Sequence, residues 1–201
     1  MTSALSPEDF DDLHDFIKVQ VAAGYAPIDD IVDEAVDMFA DDEVDTPALR
    51  VAARVVAEQV LAAQFAEQAT WPPLTDCDRL DAAFAELASA GIVARQHFSC
   101  CGTCGANEIR DEMDQARKAG VTPRGFTFFH MQDTEHAIAG DWLYLSYGAA
   151  DKDQVATIGI GHEVVSILGR HGLAPAWNGK IAHRIALPLL WQRRRTPIPV
   201  S

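Results

Sequence analysis

The stretch Trp71-Pro72-Pro73 divides this 201-residue chain into two kinds of sequence, and no other feature constrains the fold as much. Proline lacks a backbone donor and restricts the residue before it, so a helix cannot run through two in succession. Before the break, apolar residues recur only at helical spacing. After it, strand-like and helix-like segments alternate.

Three helices are predicted in the first part. Ser6-Pro7-Glu8-Asp9 has the form of a helix start, with a hydroxyl cap, proline at the first helical position and an acid three residues beyond the cap. Leu13, Ile17 and Val21 follow at helical spacing as far as Gly24. After Pro27, one face carries Ile28, Ile31, Val32 and Val36 while the other carries Asp29, Asp30, Asp33 and Asp37. A third helix opens at Thr46-Pro47 and runs, rich in alanine, to about Gln68. Residues 1–70 therefore read as a helical bundle.

That bundle carries nearly all of the chain's net charge of -14: up to Thr70 there are 16 acids against 3 bases, and beyond it 14 against 13. An acidic surface repels phosphate backbones, which excludes nucleic acid as a partner. It leaves a solvated face or a docking surface for a basic protein partner. No run approaches the roughly eighteen consecutive apolar residues of a membrane span, so no membrane partner is expected. The first residues lack the basic and apolar regions of a secretory signal. The expectation is a cytoplasmic protein with reduced thiols.

In the second part, Thr75-Asp76-Cys77-Asp78 repeats a capping signature, and Leu80, Phe84 and Leu87 line the helix that follows to Gly91. Ile92 to Phe98 reads as a strand, Cys104 to Ala119 as a helix, Gly125 to His130 as a strand and Asp133 to Ile138 as a short helical turn. Trp142 to Tyr147 is the next strand, and Ile160, Val164, Ile167 and Leu168 mark the last helix. Leu173 to Trp177 and Ile181 to Leu187 then flank Asn178-Gly179, a two-residue hairpin signal. This order fits an α+β domain over residues 74–191, a ferredoxin-like split βαβ sheet with an added carboxy-terminal hairpin strand. A thioredoxin-like arrangement fits less well, because Ala139-Gly140-Asp141 stand where that fold needs a proline before a strand. Residues 192–201, with Arg193-Arg194-Arg195, read as a solvated tail.

Three of the four cysteines fall in Cys100-Cys101-Gly102-Thr103-Cys104, where a predicted strand hands over to a predicted helix. Together with Trp71-Pro72-Pro73-Leu74-Thr75-Asp76-Cys77-Asp78-Arg79-Leu80 and Phe128-Phe129-His130-Met131-Gln132-Asp133-Thr134-Glu135, this run resembles an uncharacterised bacterial protein family of unknown function. The resemblance covers most of the chain and carries over no catalytic residue.

Geometry offers more. A helix from Cys77 to Ala90 travels about 20 Å, and a strand from Ile92 to Phe98 travels back about 23 Å. If the two are antiparallel, Cys77 returns to the end occupied by Cys100, and a βαβ crossing brings His130, Asp133 and Glu135 to the same rim. Zinc is the first cofactor this set suggests, because Cys101-x-x-Cys104 can present two sulfurs to one ion. Cys77, Cys100, His97 or His130 would have to supply the remainder. Thiol redox or nucleophilic chemistry is the alternative, with Cys101 attacking from a helix amino terminus, Cys104 resolving and His130 with Asp133 or Glu135 as base and orienter. In a third reading the cysteines only pack, Asp133 caps a helical turn and the protein is a non-catalytic interaction module. The sequence leaves open whether the chain is an enzyme.

Overall fold

The computed structural model describes residues 6–40 and 45–196. The chain forms two compact units, one of residues 1–73 with 192–201 and one of residues 74–191. No helix among the described residues is long and apolar enough to cross a membrane.

The first unit is built from α1 (Pro7–Ala23), α2 (Ile28–Phe39) and α3 (Thr46–Gln68). The Ser6 hydroxyl accepts the Asp9 N–H at 3.1 Å, and Gly24 closes α1 in the left-handed conformation at φ 79°. Leu13, Ile17, Ile31, Val32, Leu49 and Ala53 form its core. Arg50 and Arg54 of α3 pair with Asp33 and Asp29 of α2 on the exposed surface, so part of the acidic face is neutralised by the bundle's own bases.

The stretch expected as a solvated tail belongs to this unit. Arg195 donates from Nε to the Val21 carbonyl at 2.7 Å, and from its two terminal nitrogens to Ala26 and Gln20 at 3.0 Å each. The last carbonyls of a helix have no intrahelical partner, and the five-donor guanidinium satisfies several at once. Arg193 lies over the Tyr25 ring at 4.2 Å. These are tertiary demands that a run of basic residues does not display in sequence. The rest of that expected tail, residues 197–201, lies outside the described residues.

The second unit runs α4 (Asp76–Ser89), β1 (Ile92–Arg95), α5 (Gly102–Lys118), β2 (Gly125–Phe128), α6 (Met131–Ile138), β3 (Leu143–Ala149), α7 (Gln154–Arg170) and β4 (Ile185–Leu187). The class is α+β, helical first and sheet-containing after, but the strands lie in chain order, β1-β2-β3-β4. β1 and β2 pair directly in parallel, Ile92 opposite Gly125 and Arg95 opposite Phe128. The expected split βαβ therefore does not form, since no strand can enter between two that already share hydrogen bonds. β3 is antiparallel to β2, and β4 to β3.

The expected hairpin is also reduced. Leu173 to Trp177 contributes only an isolated bridge, Ala176 to Ala186, with bonds of 2.7 and 3.0 Å. The Asn178 side chain accepts the Lys180 N–H at 3.0 Å, a local turn of the Asx kind. Trp177 meanwhile stands at right angles to Tyr147, and a Cβ at Gly161 would come within 2.6 Å of its ring.

α5 covers the sheet face that carries Val93 and Phe128, using Ile109 and Met113. On the opposite face α7 lies so near that a Cβ at Gly125 would stand 2.8 Å from Ile160. Gly105 sets the approach of α5, because a Cβ there would sit 2.5 Å from the Phe128 ring. Gly105→Ala is accordingly expected to lower the unfolding free energy by about 1–3 kcal/mol through overpacking. Urea denaturation followed by tryptophan fluorescence measures this, and an unchanged midpoint would mean that α5 is not held so close.

Candidate functional site

Direct pairing of β1 with β2 puts two strand-to-helix junctions side by side. The ladder ends at Arg95 and Phe128, but Phe98 N–H still bonds the Phe129 carbonyl at 2.8 Å and Met131 N–H bonds the Ser99 carbonyl at 3.0 Å. Between these bonds the chain turns sharply: His97 has φ 50° and Ser99 φ 65°. Side chains other than glycine are costly in that region, and such strain concentrates where a site needs a particular backbone. It also explains why β1 stops three residues before its expected end.

Side chains brace the turn. His97 Nδ1 lies 2.9 Å from the Thr134 hydroxyl, Ser99 donates to Glu108 at 3.1 Å, and Phe98 meets Phe128 edge to face at 5.8 Å.

The turn delivers Cys101 to the N-cap of α5 in an extended conformation. The sulfurs of Cys100, Cys101 and Cys104 all lie within 4.8 Å of one another, Cys100 exposed and the other two half-buried. Among the described residues no histidine or carboxylate completes that group. Backbone N–H of Cys104, then its thiol, then Thr103 N–H hold the Cys101 thiol below the ordinary cysteine value. Cys104 moves the other way, pushed up to about 11 by hydrogen bonding to Cys100 and then Cys101, reinforced by their charge. These hydrogen bonds favour the thiolate on Cys101 over Cys104, at a helix amino terminus whose positive end favours it too.

Cys77 is buried in α4 and does not join the sulfur triangle. His130 is the N-cap of α6: its Nδ1 accepts the Asp133 N–H at 3.2 Å, and the Asp133 carboxylate accepts the His130 N–H at 3.1 Å. Nε2 lies 3.1 Å from the same carboxylate, and a Cβ at Gly102 would stand 3.5 Å from it. Burial holds the imidazole below its usual value, against the pull of Asp133, and it is neutral at pH 7. Asp133 is itself buried and receives Arg184, with Nη1 at 3.0 Å. Glu135 faces solvent.

The sequence reading missed Arg184, whose only signal was a charge inside an expected strand, and the His97 to Thr134 contact, which joins the two junctions.

Fold and site together define an α+β protein with a three-thiol loop at the amino terminus of a helix. The chain belongs to the family described as domain of unknown function DUF6891, whose model matches residues 6–195. No curated protein and no solved structure matches it.

The charge distribution predicts selective alkylation. Cys101 is expected to react with iodoacetamide faster than Cys104 at pH 7, its rate falling as pH drops through its lowered pKa, while Cys104 stays a thiol until pH approaches about 11. Mass spectrometry of timed digests resolves the two, and equal rates would contradict the assignment.

Proposed function

We propose that the loop of Cys100, Cys101 and Cys104 is a binding site for a thiophilic metal ion, zinc being the first choice. The observation that supports it is the sulfur triangle, with every separation within 4.8 Å. Zinc–sulfur bonds of about 2.3 Å in a tetrahedron require sulfurs about 3.8 Å apart, so a modest contraction brings all three to one ion. Neighbouring residues in extended backbone face opposite ways; the left-handed Ser99 lies just before Cys100 and Cys101, whose sulfurs converge. Three protein ligands leave a fourth position for water or a small thiol, the arrangement of an open rather than a closed zinc site. The ion, when bound, supplies Lewis acidity. The chain supplies the thiolates, and the α5 amides ease the loss of the Cys101 proton.

Cys104 must lose its proton on binding. Any other loop sulfur still protonated must lose its proton too, so zinc affinity should rise at least about tenfold for each pH unit between roughly 6 and 8. Titration of metal-free protein against a chromophoric chelator is expected to give one ion per chain. Cys101→Ser and Cys104→Ser should each weaken binding by at least about tenfold, and Cys77→Ser should not. Retained affinity in both loop variants would overturn the reading.

A second reading, thiol–disulfide exchange, is favoured by the opposite shifts of Cys101 and Cys104. The Cys101 thiolate would attack a substrate disulfide and release one substrate thiolate. Cys104, its proton passing to the substrate thiolate already released, would then attack the Cys101 sulfur, releasing the second thiolate and leaving the protein pair oxidised and the substrate reduced. Cys100→Ser separates the two readings, since it removes a metal ligand but spares the exchanging pair.

A further inference from the structure

A cavity of about 310 Å³ lies apart from the three cysteines, between α5, the β2–β3 edge and the start of α7. That volume is at the lower end of the small-molecule range of about 300–1,000 Å³. Met113, Phe126 and Ile181 give it apolar walls, and its two charged lining residues, Arg110 and Lys152, are both cations. Beyond residue 70 acids and bases are nearly balanced, 14 against 13, yet among the described residues no carboxylate lines this space.

Three details set this lining apart. Every other described arginine meets a carboxylate, a backbone carbonyl or an aromatic ring. Arg110 meets none among the described residues, although acids are plentiful. Lys152 has φ 61°, and the only other described residues besides glycine with positive φ are His97 and Ser99 at the cysteine loop. Thr157, also in the lining, accepts the Ala149 N–H at 3.1 Å through its hydroxyl oxygen, which leaves the hydroxyl proton for another acceptor.

We infer that this cavity binds a small molecule with an anionic head, a carboxylate or a phosphate, on an apolar body. The head sits among Arg110, Lys152 and the Thr157 hydroxyl, and the body lies on Met113 and Phe126. Arginine matches the two oxygens of either head with parallel donors, and lysine adds a point charge. The apolar walls gain from excluding water only if the ligand carries hydrocarbon, so a bare inorganic anion satisfies half of the site.

The test is calorimetric titration of the full chain with four probes that share one octyl body: nonanoate, octyl phosphate, octanol and octylamine. Saturable binding of at least one anion, at least about tenfold tighter than octanol and with octylamine weaker still, is the expected result. The tighter of the two anions identifies the head group. Arg110→Gln with Lys152→Gln should weaken anion binding at least about tenfold while the circular dichroism spectrum is unchanged. Thr157→Val provides a second variant and should weaken it by a smaller factor. Cys101→Ser and Cys104→Ser should leave it unaltered, which separates this site from the metal reading. Absence of saturable binding by both anions, affinity equal to that of octanol, or indifference to the double substitution would overturn the inference.

Discussion

The parallel hydrogen bonds between β1 and β2 are the interaction on which the rest of the second unit depends. They set the junctions before α5 and α6 next to one another, and two further backbone bonds, from Phe98 to Phe129 and from Met131 to Ser99, carry the pairing past the ladder. The cysteine turn is thereby tied at both ends to a neighbouring chain segment. A loop fixed in this way can hold His97 and Ser99 in a region of backbone space that would otherwise relax. Gly105 completes the arrangement by letting α5 descend onto Phe128, which fixes where the helix begins and hence where Cys101 lies.

Electrostatics then divides the labour at the two helix starts. At α5 no acidic side chain occupies the first turn, so the free N–H groups stabilise a thiolate. At α6 the same need is met internally by His130 and Asp133, with Arg184 balancing the buried carboxylate. Histidine and aspartate thus serve the cap at one junction, while at the other the helix amides face the Cys101 sulfur. The first unit solves its own terminal problem with Arg195, whose burial lowers the readiness of its guanidinium to hold a proton without discharging it.

Much of this was legible in the sequence wherever a local rule governs. Ser6, Thr75 and Gly24 announce helix ends because capping involves only a few consecutive residues. The alternation after residue 73 gives the class and the order of elements. Strand order was not legible, because periodicity says that β1, β2 and β3 exist but not which edge each one takes. The position of the cysteine loop was readable from composition, yet its membership was not. Cys77 was placed at the rim by counting helical rise, which fixes height along an axis but not the direction of a side chain, and Leu80, Ala83 and Leu87 take that face of α4 into the core. His130 carried a metal-ligand signal and the cap was expected of Asp133, but His130 is itself the N-cap and shares the capping bonds with Asp133.

The central claim is that three sulfurs of one loop act together on one ion. X-ray absorption at the zinc edge, on protein loaded with one equivalent at pH 8, counts those sulfurs directly. The account predicts three sulfur neighbours at about 2.3 Å and one nitrogen or oxygen neighbour. A shell with one sulfur or none, on protein whose three loop cysteines are reduced, would contradict it.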